Sequence, residues 1–175
     1  MSEQVFKKQD IAQVLTEELS RLAERIKENH RRAGQVASGR TLRSITYEVT
    51  EDRGMLFGRF PFGTLETGRR AGAVPLAFDA IIRQWILDKG IPVEPIPYIR
   101  MPSETWQPKY TPEERGLRTM ASAIATKIRK EGTALYRNGG RTDIYSNEIP
   151  EAIKRIEERI AKVFSLTIDS IHINA

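Results

Sequence analysis

The sequence predicts one α+β domain with a small, mainly antiparallel sheet, packed helices, long N- and C-terminal helices and a proline-rich arm. Apolar residues recur at helical spacing near both ends, a β-rich segment with a turn lies between them, and six of the nine prolines cluster in one interval. A chain of 175 residues, 39% of them hydrophobic, suits a single core. The predicted parts of this domain (1–175) are an N-terminal helix (1–34), a hairpin, Glu-x-Gly loop and helix (38–90), the proline-rich arm (91–112) and C-terminal helices (112–175).

The first predicted element is a long helix. Asp10 is suited to cap its first turn, because a carboxylate accepts hydrogen bonds from the free backbone amides there. Apolar residues recur at three- and four-residue steps from Ile11 to Ile26 and predict one buried face. Gly34 is expected to end the helix, and His30 in the last turn is expected to face solvent.

A β-hairpin is predicted next. Residues 42–49 alternate polar and apolar side chains and are rich in β-formers, residues 51–54 read as a turn, and residues 55–60 form the returning strand. Residues 65–72 are expected to continue as a short third strand and a glycine-bounded loop. These segments predict the small sheet of the fold.

The second helix is predicted to begin near Pro75, a residue favoured in a first helical turn, and to end at Gly90. Its apolar stripe includes Phe78, Ile82 and Trp85. Because an indole buries up to about 250 Å² of surface, Trp85 is the expected core anchor of this helix.

The proline-rich arm is predicted to lack regular structure. It carries large apolar side chains, among them Tyr98, Trp106 and Tyr110, which are too many for a solvated linker. Two interpretations stay open: the arm contacts another surface, or it covers the core of its own monomer.

Two more helices are predicted after the arm. The first has Thr111 as its cap, Pro112 as its first residue and Gly132 at its end. Residues 133–147 are irregular, and the last helix begins near Ile149 and is expected to continue past Ser165.

Composition excludes several function classes. The chain has no cysteine and two histidines, which removes disulfide frameworks, thiol nucleophiles and nearly every zinc site. No run approaches the ~20 apolar residues of a spanning helix, and no apolar signal segment begins the chain, so we expect a soluble protein without membrane contact. The net charge of +5 is spread thinly along the sequence and does not indicate sequence-specific DNA binding.

Catalytic chemistry finds no support in the motifs. Neither His30 nor His172 stands in a nucleophile pattern, and no phosphate-binding glycine loop is present. Asp143 beside Asn147 offers two oxygens for a hard cation, which is a weak metal signature. The sequence therefore predicts a protein that is not an enzyme and has no catalytic residue, cofactor or metal.

Four segments in order resemble the tail-completion or neck proteins of tailed bacteriophages. Residues 38–45 are similar to that family's Gly-x-Leu-x-x-Ser-Ile segment before the first strand, and residues 65–72 to its Glu-x-Gly loop. Residues 82–91 resemble its Trp-x-x-x-Lys-Gly helix end, and residues 123–133 its Ile-x-x-x-Ile-x-x-x-Gly-Thr segment. The resemblance covers about residues 38–133.

The resemblance implies a structural virion protein that forms a homo-oligomeric ring in the phage neck, between head or portal and tail. Its partners would be further copies of itself, other neck, portal or tail proteins, and DNA passing through the channel. Assembly would occur in the host cytoplasm. The motif residues also have physical roles that are expected to determine the fold, and these residues are Gly39, Gly68, Trp85, Gly90 and Gly132.

Five residues are predicted to lie at subunit or partner interfaces. Arg69 and Arg70 stand together on a glycine loop, where pairing within the chain is difficult, so they are candidates for a neighbour's carboxylates or for DNA phosphate. A solvated loop is the alternative. Tyr98, Trp106 and Tyr110 are the aromatic anchors expected in the arm. Two other functions stay open: a nucleic-acid-associated basic protein, and a metal-dependent enzyme.

Overall fold

The computed structural model describes residues 2–99 and 107–173 and has the α+β class that the sequence predicts. The helices are α1 (Ser2–Arg32), α2 (Arg40–Arg43), α3 (Thr64–Thr67), α4 (Phe78–Asp88), α5 (Pro112–Glu131), α6 (Ala134–Arg137) and α7 (Glu148–Ile173), and the strands are β1 (Thr46–Val49) and β2 (Gly54–Phe57). The chain divides into two compact units. Unit 1 contains Met1–Glu66 and Arg141–Ala175, and unit 2 is Thr67–Gly140.

Helix α1 buries the apolar face that its periodicity predicts, with Ile26 completely enclosed. It begins at Ser2, so the prediction that Asp10 caps it is wrong. Good helix formers such as Glu3, Gln4 and Lys7 precede Asp10 and allow the helix to extend. The predicted exposure of His30 is also wrong, because this side chain is buried.

The hairpin is present but shorter than predicted. Strands β1 and β2 pair antiparallel, with Thr46 opposite Phe57 and Val49 opposite Gly54. A helical turn, α2, occupies the start of the predicted first strand, and a 3-10 turn at Phe60–Gly63 follows the second. The predicted third strand at 65–72 is wrong, because helix α3 begins there and the described sheet has two strands. Gly68 and Gly72 in this stretch interrupt extended pairing.

The core of unit 1 lies where α1 packs on α7 and on the hairpin. Its buried members are Leu19, Leu22, Ala23, Ile26, Ile45, Ile144 and Ala152. Helix α7 begins near the predicted residue and continues past Ser165 to Ile173, which confirms the prediction of a continued helix. In the part of the chain that the structure describes, no helix is both long and apolar enough to cross a membrane.

Unit 2 is built on the packing of α4 against α5. Its core contains Phe78, Ile82, Ile86, Ala121 and Ala125. Helix α4 begins at Phe78, one turn later than predicted, and Gly90 follows it with the expected left-handed φ of 63°. The prediction that Trp85 is a buried anchor is wrong: the indole is 39% exposed, and the next residue, Ile86, is completely buried.

Helix α5 has the ends that the sequence predicts. The Thr111 hydroxyl accepts a hydrogen bond from the Glu114 amide at 3.2 Å, Pro112 is the first helical residue, and Gly132 ends the helix with φ 81°. Thr133 caps the short helix α6 in the same way. Gly139 and Gly140 follow α6 with positive φ values of 85° and 82°.

The described part of the arm, residues 91–99 and 107–111, contains neither helix nor strand, as predicted. The Ile96 amide donates a hydrogen bond to the Pro112 carbonyl oxygen at 2.9 Å, and Val93 packs against the core of unit 2. A Cβ on Gly116 would lie 2.1 Å from the Glu94 carbonyl oxygen, so a glycine is needed at this point. This part of the arm therefore covers the core of its own chain.

Candidate functional site

The Glu-x-Gly loop places a buried carboxylate in unit 1. Helix α3 holds Glu66, which is 3% exposed. Its Oε1 accepts hydrogen bonds from three consecutive backbone amides, those of Ile144 at 2.8 Å, Tyr145 at 2.7 Å and Ser146 at 3.0 Å. The Ser146 hydroxyl donates to the other carboxylate oxygen. Glu66 therefore fixes the loop that leads into α7.

The environment of Glu66 favours its charged form. Burial by itself would raise the pKa of the carboxyl. The hydrogen bonds from the Ser146 hydroxyl and the three backbone amides lower it by more than burial raises it, so the pKa of Glu66 is below its ordinary value. This carboxylate is buried, and both of its oxygens accept hydrogen bonds from the 144–146 segment. This arrangement serves the fold.

Unit 2 brings two of the four motifs together. The Thr133 amide donates to the Arg69 carbonyl oxygen at 2.8 Å, and the Arg69 amide donates to the Thr133 hydroxyl at 2.9 Å. A Cβ on Gly68 would lie 2.5 Å from the Tyr136 amide nitrogen, and one on Gly132 would lie 2.7 Å from the Arg69 carbonyl oxygen. Both glycines also have positive φ, so their predicted role in the fold has two physical causes here.

The other motif residues have simpler roles. Gly39 has a φ of 72° and precedes α2, so the first motif leads into a helical turn and not directly into a strand. Gly90 ends α4, as predicted. Trp85 contributes a partly exposed indole.

The two adjacent arginines differ from each other. The expectation that neither has a partner in its own chain is wrong for Arg69, whose guanidinium donates to the Ala73 carbonyl oxygen and lies 5.7 Å from the centre of the Phe78 ring. Arg70 is exposed. A role of either residue at an interface stays a prediction.

The aromatic residues of the arm lie under cations of α5. The Arg115 guanidinium is 4.5 Å from the Tyr98 ring centre, and that of Arg118 is 3.9 Å from the Tyr110 ring centre. Cation–π contacts of this kind hold both rings against the helix. Trp106 lies outside the described residues.

A second buried carboxylate was not predicted from the sequence. Glu18 of α1 is 1% exposed and accepts hydrogen bonds from Arg155 and Arg159 of α7, each at 2.9 Å. Burial would raise its pKa, but the two guanidinium groups outweigh burial and lower it. The helical spacing of Arg155 and Arg159 was the available signal, since residues four apart share one face.

The candidate cation position has no free carboxylate. Asp143 lines a cavity of about 210 Å³ in unit 1, where it accepts two hydrogen bonds from Arg141, at 2.6 and 2.7 Å. Glu148 in the same cavity accepts from Asn29 at 3.0 Å and pairs with Arg25. Among the side chains that the structure describes, no three of His, Cys, Asp or Glu lie close enough together to hold a metal ion.

Large apolar side chains remain at the surface of both units. Leu76, Ile99 and Phe60 are fully exposed. Helix α7 adds a row on one face, with Ile153 50% exposed and Phe164 43% exposed, beside the half-buried Ile156 and Ile160. We call Ile149, Ile153, Ile156, Ile160 and Phe164 the α7 apolar row.

Comparison of the chain with protein-family models, with curated proteins and with solved structures finds no match. The resemblance to phage neck proteins therefore depends on the four sequence motifs alone.

Proposed function

We propose that this chain is a structural protein of the virion of a tailed bacteriophage, where copies of it form a ring in the neck that joins the head or portal to the tail. It assembles in the host cytoplasm, contacts other neck, portal or tail proteins, and performs no catalysis. The order of the four motifs supports this assignment. The α7 apolar row supports the assembly step and is the observation that carries it.

The α7 apolar row is suited to a protein contact. Its residues are spaced by three, four and seven positions, so they lie on one side of the helix and not scattered over it. Single exposed apolar residues are ordinary, whereas a continuous row is typical of a surface that is covered in an assembly. A ring closes when every copy presents two different patches, one to each neighbour.

A second patch is available on unit 2. Ile81 and Trp85, one turn apart on α4, are 51% and 39% exposed, and Leu76 lies shortly before them in the chain. Trp and Leu side chains on such a patch would insert between the apolar side chains of a neighbouring α7. The two patches together meet the requirement for a head-to-tail contact.

Sedimentation velocity tests the assembly. The wild-type protein is expected to sediment as a species larger than the 19.9 kDa monomer, and Ile153→Glu is expected to shift it toward the monomer, because a buried carboxylate without a partner is costly. The matched control Glu158→Gln changes an exposed residue on the opposite side of the same helix and should leave the distribution unaltered. Far-UV circular dichroism verifies that both variants are folded.

A variant in the proline-rich arm tests whether the arm takes part in assembly. Trp106→Ala is expected to weaken assembly and to leave the folded monomer near intact. A wild-type protein that remains monomeric at high concentration would contradict the ring, and oligomers unaltered by Ile153→Glu would remove the α7 apolar row from the contact. Oligomers unaltered by Trp106→Ala would remove the arm from it.

A further inference from the structure

The excess of positive over negative charge lies in one of the two units. Residues 67–140, which form unit 2, contain twelve Lys and Arg against seven Asp and Glu. The remainder of the chain contains sixteen of each. The whole excess of +5 therefore belongs to unit 2.

Within unit 2, helix α5 concentrates this charge. From residue 115 to residue 130 the helix has five basic residues and no acidic one. Ala121 and Ala125 are completely buried, and the side chains on the opposite side of the helix are polar except for Ala123. We call that side the α5 outer face, and its members are Arg115, Arg118, Thr119, Ser122, Ala123, Thr126, Arg129 and Lys130.

The middle of the α5 outer face is a shallow, open depression. Thr119, Ser122, Ala123 and Thr126 are short, and together with Arg118 they line it. Hydroxyl groups donate hydrogen bonds to phosphate oxygens, and short side chains let a phosphate backbone approach the helix closely. This depression therefore offers hydroxyl hydrogen-bond donors between the cations at the two ends of the α5 outer face.

The cations at the C-terminal end of this face are available to a ligand. Arg129 and Lys130 are exposed, and neither of them makes a side-chain ion pair with another described residue. At the other end, Arg118 pairs with Glu114 at 2.8 Å and Arg115 donates to the Pro97 carbonyl oxygen at 2.9 Å. The strongest attraction for an anion is thus at the end of the helix that contains Arg129 and Lys130.

The dimensions and the residue types favour a duplex. Arg118 and Arg129 are eleven residues apart, which is about 17 Å along a helix and corresponds to roughly five phosphates of one DNA strand at ~3.4 Å each. Proteins that bind single strands stack the bases on aromatic rings. The α5 outer face itself includes no Phe, Tyr or Trp, and the two rings beside its N-terminal end, Tyr98 and Tyr110, are each in contact with a guanidinium group of this helix.

We propose that the α5 outer face binds the phosphate backbone of double-stranded DNA without sequence preference. Such binding goes beyond ring formation and does not require it, because the face belongs to a single helix. The contacts are electrostatic and hydroxyl-mediated, so the affinity falls steeply as the salt concentration rises.

Fluorescence anisotropy with a labelled 20-base-pair duplex tests the proposal at NaCl concentrations from 50 to 300 mM. Arg129→Gln combined with Lys130→Gln should weaken binding at least about fivefold at low salt and reduce the slope of log K against log salt by about 2, because two phosphate contacts are removed. Glutamine is a good helix former, so α5 is retained.

The matched control is Arg31→Gln combined with Arg32→Gln. It removes the same charge from an adjacent exposed pair in the last turn of α1, in unit 1. This control should stay within about twofold of wild type across the salt series. Two unrelated duplexes should bind equally, and each more tightly than a single strand of the same sequence.

Four results would overturn the proposal. They are no binding of the duplex by the wild-type protein at 50 mM NaCl, an equal loss in the control pair, a preference for the single strand, and binding of polyglutamate without binding of DNA. The last result would instead assign the face to an acidic protein partner.

Discussion

Glu66→Gln changes one atom of a buried hydrogen-bond acceptor in unit 1. The glutamine keeps an oxygen for the amides of Ile144, Tyr145 and Ser146 but loses the negative charge. A hydrogen bond to a charged group contributes about 1.5–3 kcal/mol and a neutral one about 1 kcal/mol. Four such bonds converge on Glu66, and the lower desolvation cost of an amide offsets part of the loss. We therefore expect the free energy of unfolding to fall by about 2 kcal/mol at pH 7.

The dependence on pH separates this effect from a packing defect. The pKa of Glu66 in the folded protein is lowered from 4.5, so its charge stabilises the fold at pH values above the unfolded pKa. That stabilisation is lost as the pH falls through the folded pKa, while a glutamine does not titrate. The difference between wild type and Glu66→Gln should accordingly be constant from pH 6 to 8 and shrink in acid below the unfolded pKa.

Urea denaturation followed by circular dichroism at 222 nm measures both quantities. Glu157→Gln is the matched control, because it removes the same charge from an exposed residue of α7 in the same unit, and it should change stability by less than about 0.5 kcal/mol. The reasoning fails if Glu66→Gln matches this control at pH 7. It fails equally if the loss at pH 7 persists undiminished at pH 3.

Two further stability predictions use matched pairs. Gly68→Ala should lower the free energy of unfolding by about 3–4 kcal/mol, because the added Cβ would meet backbone atoms. Gly139→Ala should lower it by only the ~1–2 kcal/mol of a positive φ, because a Cβ there meets nothing. Equal losses of stability in thermal or urea denaturation would refute the close approach at Gly68. Glu18→Ala should cost about 1–3 kcal/mol, because Arg155 loses its carboxylate and Arg159 keeps only its pair with Glu17, while both guanidinium groups stay partly solvated. The exposed Glu24→Ala should cost about 0.5 kcal/mol or less. Equal losses for the two variants would contradict the role of Glu18.

The elements that the sequence predicts well are those whose signals are local. Helix α5 has a threonine cap, a proline in the first turn and a glycine stop, and all three act within a few residues of the helix. The limits of α1 were harder to predict, because Asp10 is a suitable cap that the helix passes through. A cap residue favours a helix start but does not impose one when helix formers precede it.

The failed predictions depend on contacts between distant residues. The segment around Glu66 has the composition of a strand, yet the carboxylate is held by amides about eighty residues away in the sequence, and the chain there is helical. Trp85 and Ile86 are neighbours on α4, and the periodicity of one helix does not decide which of the two faces α5. The discontinuous unit 1, formed from both ends of the chain, has no signal in local periodicity.

The charge of α5 shows a different limitation. The absence of acidic residues from 115 to 130 is visible in the sequence, but counting charge over 112–162 adds the acids of α7 to the cations of α5. The excess then looks evenly distributed. In the folded chain, the excess positive charge lies in unit 2 and is greatest on α5.

The fourth motif separates the determinants of the fold from those of binding. The residues that define this motif face the core or join the loops of unit 2. Ile124 and Ile128 pack against the core, and the backbone of Arg69 approaches Gly132 so closely that a Cβ there would clash. The unspecified positions between them include Arg129 and Lys130 on the α5 outer face. A protein can therefore keep this motif and replace its outer cations without losing the fold. For this reason variants of the outer residues test binding, whereas variants of the motif glycines test only whether unit 2 folds.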